Sequence, residues 1–182
     1  DARAYHRGAS ARSLRRRTAG LPEGSGLRGL LLPAHHTGGW AALWARAALW
    51  AVLLAWGLGF ITASIQANDA GRSLWHLVNL PFHEFGHLLF RPFGDWVASL
   101  GGTLGQLLMP AVCFGVLLLQ TRDPFGASAA LWWLGQSFID IAPYINDARA
   151  GELPLLGGNV GRTAPYGFHD WEFILGETGL LA

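Results

Sequence analysis

The sequence predicts an all-α fold: a polytopic membrane bundle of about four transmembrane helices behind a basic, flexible N-terminal arm. Three observations predict it. Of the 182 residues, 51% are hydrophobic and only 14% charged, where soluble domains carry about 25% charged residues. The stretch from Trp96 to Leu119 contains no charge at all, and it exceeds the roughly 20 residues that cross a bilayer as a helix. The charge is also segregated: all 13 basic residues are arginine, and seven of them precede Trp40 against only Asp1 and Glu23. This composition excludes disorder for the bulk of the chain and disfavours an ordinary soluble enzyme. A single cysteine, Cys113, excludes an internal disulfide.

The elements follow in order. Residues 1–39 are rich in Arg, Ser and Gly, with no apolar period long enough to bury anything, and read as a mobile basic arm. Its composition is that of a transit peptide, but a secretory signal needs its apolar stretch within about the first 30 residues. The first span is centred on Leu49 to Ile65, uncharged and preceded by Trp40, Trp44 and Arg46 as interfacial anchors. The second runs from Leu74 to about Phe90 and is interrupted by polar residues. The third is Trp96 to Leu119, and the fourth, Phe125 to Ile145, is uncharged until Asp140 and then meets Pro143. Residues 40–145 thus form the membrane domain. Residues 146–182 combine Pro- and Gly-rich loop signals with a short amphipathic run, Trp171 to Leu181.

Seven arginines before the first span place the N-terminus on the cytoplasmic side. Alternation then puts Gln66 to Ser73 and Gln120 to Pro124 outside, and Arg91 and Asn146 to His169 inside. The expected location is the inner (cytoplasmic) membrane of a bacterial cell. The competing soluble bundle would have to bury the uncharged third stretch entirely inside protein.

The chemistry concentrates in the second span, which reads PFHEFGHLLF. His83 and His87 stand four apart on one helix face, so both imidazoles can hold one Zn²⁺, and Glu84 can take a proton from water on the metal. The bland alternative is two histidines that hydrogen-bond across a bundle, with Glu84 pairing one of them. Ionisable groups inside a span cost roughly 2.5 kcal/mol or more and are usually kept for a purpose. A catalytic zinc needs a third protein ligand. If the second and fourth spans both run inward, Asp140 shares the depth of the histidine pair and is the first choice. Asp147 is the second, in a stretch expected to leave the helix after Pro143, and His169 in the HDW string is the third. Each also has a structural reading: Asp140 as a partner of a histidine, Asp147 as a cap or a partner of Arg149, His169 as an interfacial residue.

HEFGH in an apolar helix, the Gly-rich following span from Gly101 to Pro110, and a later Asp beside Pro and Asn together resemble the site-2 protease family of intramembrane zinc metalloproteases. The resemblance covers about Leu74 to Arg149. It implies a three-helix core that carries the histidines, the glutamate and one aspartate, a site near the cytoplasmic face, and a membrane-spanning protein substrate. The alternative is a non-catalytic accessory subunit of a larger membrane complex, derived from such a protease. A hydroxylase-type metal enzyme would need more histidines than these spans supply. The partners expected are the lipid bilayer and a membrane protein substrate or complex. The arginines of the arm suit anionic lipid headgroups, so no nucleic acid is expected. His35 and His36 form no metal site by themselves.

Overall fold

The computed structural model describes residues 39–181, so the basic arm, including His35 and His36, lies outside the described residues apart from Gly39. Five α-helices follow: α1 (Trp40–Thr62), α2 (Leu74–Phe90), α3 (Asp95–Gly115), α4 (Pro124–Asp147) and α5 (Asp170–Glu177). There is no strand among the described residues, only an isolated bridge between Pro154 and Val160. Two helices are long and apolar enough to cross a membrane: α1, and α3 together with the turn that continues it to Gln120.

Side-chain distribution is the reverse of a soluble bundle. Asn79, Gln106, Gln136, Ser137 and Asp140 are buried, while Leu54, Leu58, Leu77, Phe85, Leu88 and Val112 are exposed. Polar groups that hydrogen-bond one another share the interior with small and aliphatic side chains such as Leu53, Ala127, Ala130 and Ile141, and many of the large apolar side chains face outward.

The closest helix pairing is α2 on α3, and glycine makes it possible. A Cβ at Gly86 would overlap the Gly101 carbonyl oxygen, and one at Gly105 would overlap the Phe82 carbonyl oxygen. Small residues on both helices therefore let the backbones touch, which is the usual route to close association where no hydrophobic effect drives it. On the other side, α1 leans on the bundle through aromatic rings: Trp75 meets Trp56 at 5.9 Å and Trp132 at 4.9 Å between centroids. Trp132 reaches Gly57, where a Cβ would stand 2.8 Å from its indole nitrogen.

Helix α4 opens with Asp123, whose side chain accepts from the Gly126 amide at 3.1 Å, and with Pro124 in the first turn, where its missing N–H costs nothing. The expectation that the chain leaves the helix after Pro143 is wrong: α4 continues to Asp147. Proline removes one hydrogen bond without ending the helix, as Pro81 does in α2 and Pro110 in α3. The following loop folds around Asp147, whose carboxylate accepts from the amides of Glu152 at 2.9 Å and Leu153 at 2.8 Å. The C-terminal amphipathic run forms α5 from Asp170. It closes where the Leu180 amide returns to the Leu175 carbonyl across Gly179, whose φ of 70° suits glycine.

Candidate metal centre

Helix periodicity puts His76, Asn79, His83 and His87 along one face of α2. Three residues of the HExxH string form a cluster, since His83, Glu84 and His87 offer ligand atoms that all lie within 4.8 Å of one another. Nδ1 of His87 donates to the Ala98 carbonyl on α3 at 2.8 Å. That hydrogen bond takes Nδ1 and turns Nε2 toward the interior of the site.

Gly102, one turn along α3 from Ala98, supplies the space. A Cβ there would stand 2.6 Å from Nε2 of His87 and 2.7 Å from Nε2 of His83. The two Nε2 nitrogens therefore converge over a backbone position with no side chain.

The carboxylate that meets them is Asp170. Its Oδ2 lies 3.0 Å from Nε2 of His83 and 3.3 Å from Nε2 of His87. Burial raises the Asp170 carboxyl, and the two histidine contacts outweigh that effect and hold it below the usual aspartate range. Asp170 occupies the first turn of α5, directly after the N-cap residue His169, whose Nδ1 accepts from the Glu172 amide at 3.2 Å. The indole of Trp96 donates to the Ile174 carbonyl at 3.4 Å and ties α5 to α3. Two imidazole nitrogens with a carboxylate oxygen 3.0 and 3.3 Å from them supply the three protein donors that a catalytic zinc takes. Donor chemistry, spacing and the Gly102 cradle thus fit zinc.

The expected third ligands sit elsewhere. Asp140 is buried and its carboxylate is already engaged by Nδ1 of His76 at 3.1 and 3.2 Å and by the side-chain amides of Asn79 and Gln106, each at 2.9 Å. It faces α2 one to two turns before His83, because equal depth in two spans does not fix which turn of one helix meets a given side chain of the other. Asp147 holds the loop backbone, and its Oδ2 lies 3.5 Å from Nε2 of His169. His169 itself is buried as the cap of α5. Sequence reasoning singled out His169 and passed over its neighbour Asp170. The available signal was an acidic residue in the first turn of a predicted helix that follows a loop long enough to fold back.

His83, Glu84, His87 and Asp170 line a cavity of about 1170 Å³ that also reaches His76 and Asp140. Glu84 is exposed to it rather than paired. The arrangement offers donors for a metal and room for water beside them. No family model matches this chain, and no curated protein or solved structure matches it either.

Proposed function

We propose that this chain is an intramembrane zinc metallopeptidase, similar to the site-2 protease family, that hydrolyses peptide bonds of membrane-embedded proteins. The observation that carries the reading is the meeting of His83, His87 and Asp170 beside the free carboxylate of Glu84 in one cavity. Helices α1 to α4 each cross the membrane in this reading, with the N-terminus on the cytoplasmic side of a bacterial inner membrane. The outward apolar residues of α2, among them Leu74, Leu77, Leu88 and Leu89, support a lipid-facing surface even though its inward face is polar.

When bound, zinc supplies a Lewis acid that polarises the scissile carbonyl and lowers the pKa of water at its open position. The protein's own groups do the rest. Glu84 takes a proton from the attacking water as the O–C bond forms, and returns it to the leaving amine as the C–N bond breaks. Ala98 keeps His87 in the tautomer that presents Nε2. Asp170 supplies the negative charge that balances the cation and, from its place on α5, ties the C-terminal segment to the site.

The test uses purified full-length protein in detergent or nanodiscs with a membrane-spanning substrate. Glu84→Gln retains zinc at the wild-type ratio and abolishes cleavage. Cleavage at the wild-type rate by that variant, or absence of zinc from the wild-type protein, overturns the reading.

A further inference from the structure

Two turns from the metal ligands, the same face of α2 carries a second polar centre that the hydrolytic step does not use. Its chemistry can be read donor by donor. The Trp133 indole can only donate, and it does so to Oδ1 of Asn79 at 2.7 Å. Asn79 therefore presents its amino group to Gln136 and to Oδ2 of Asp140, each at 2.9 Å. Gln106 donates to the same oxygen at 2.9 Å. Asp140 is thus an acceptor, 2% exposed, and Nδ1 of His76 is its third donor. In the neutral imidazole the remaining ring nitrogen of His76, Nε2, carries the lone pair.

That nitrogen is not spent on the fold. It has no hydrogen-bond partner among the described residues, and it is not among the buried polar atoms left unpartnered. His76 lines the cavity that contains the metal ligands, with its ring stacked on Tyr144 at 6.1 Å. A network built only to join helices would close on Asn79, Gln106 and Gln136; it has no use for an imidazole edge open to a cavity.

The distance sets what the edge can reach. Seven residues separate His76 from His83, about 10 Å along the helix at 1.5 Å per residue. An extended chain covers about 3.3 Å per residue, so a peptide lying along α2 passes His76 about three residues from the metal. A substrate helix must unwind before its carbonyl can be attacked, and each backbone N–H freed in a membrane needs an acceptor.

We propose that His76, oriented by the positioning residue Asp140, is a substrate-binding residue: its Nε2 accepts a backbone N–H of an unwound peptide about three residues from the scissile bond. The proposal rests on the zinc peptidase reading above.

Peptide hydroxamates test it without cleavage, since the hydroxamate takes the metal and the peptide extends from it by one to four residues on either side. Zinc content and hydroxamate affinity are measured on the full chain in nanodiscs. Affinity is expected to rise about three- to tenfold when the third residue is added on one side. N-methylation of that residue's amide removes the rise with the wild-type protein, so the result does not depend on a variant folding. His76→Phe removes it too, and leaves zinc content and the affinity of the shortest hydroxamate unchanged; Asp140→Asn reduces it. No rise at the third residue, or a rise that survives both N-methylation and His76→Phe, overturns the proposal while the zinc site stands. Wild-type protein without zinc overturns the peptidase reading and this proposal with it.

Discussion

Asp170 and Asp140 are two carboxylates in one cavity with opposite surroundings. Asp170 turns Oδ2 to Nε2 of His83 and of His87, and no other side chain among the described residues hydrogen-bonds that oxygen. Asp140 is saturated by three donors. Substitution should therefore separate them. Asp170→Ala is expected to lower zinc affinity by more than the roughly 10–100-fold that loss of an outer hydrogen-bond partner costs, measured by competition with a chelating dye. Asp140→Asn leaves zinc affinity close to wild type. The new amide keeps one acceptor oxygen and turns an NH2 toward the remaining donor, which costs about 1–3 kcal/mol of stability, read as a lower midpoint in thermal denaturation in detergent.

At the level of elements, the His83–His87 pair depends on how closely α2 and α3 approach. Gly86 and Gly101 set that distance, and Ala98 and Gly102 then meet the imidazoles from α3. Gly86→Ala drives a methyl into a backbone carbonyl, which no side-chain movement relieves, so the helices must part. The expected loss is about 1–3 kcal/mol, together with most of the zinc affinity. Gly59→Ala in α1 is the control, since nothing lies within 4 Å of its added Cβ, and it should change neither quantity. Helix α5 depends on a different device. His169 caps its first turn and lies against Asp147, so the residue that looked like a metal ligand instead orients the one that meets the pair.

For the whole molecule, the arrangement of buried amides and exposed leucines makes sense if lipid surrounds the bundle. Cysteine labelling checks the topology. In a background with Cys113→Ser, cysteine is placed singly at the exposed positions Asp69, Arg122 and Asn159. A membrane-impermeant maleimide on intact cells should modify Asp69→Cys and Arg122→Cys, and reach Asn159→Cys only after permeabilisation. Labelling of Asn159→Cys alone on intact cells would invert the orientation. Equal labelling of all three on intact cells would refute a four-span path.

What the sequence by itself determined is local. The lengths of the apolar stretches foretold α2 to α4 to within a few residues, because hydrophobic length and helix rise act along one segment; α1 starts at Trp40, nine residues before its uncharged stretch. His83 and His87 were legible as a pair because a spacing of four fixes a shared face whatever surrounds it. Gln106 and the Trp132–Trp133 pair carried no such signal, since their partners lie on other helices. The tertiary structure alone decided which carboxylate meets His83 and His87. Asp170 stands 87 positions from His83, and it arrives there because the loop folded around Asp147 returns α5 to the face of α2. Periodicity tells which side chains share a face; only packing tells which distant residue that face meets, and here packing gave Asp140 to His76 and Asp170 to His83 and His87.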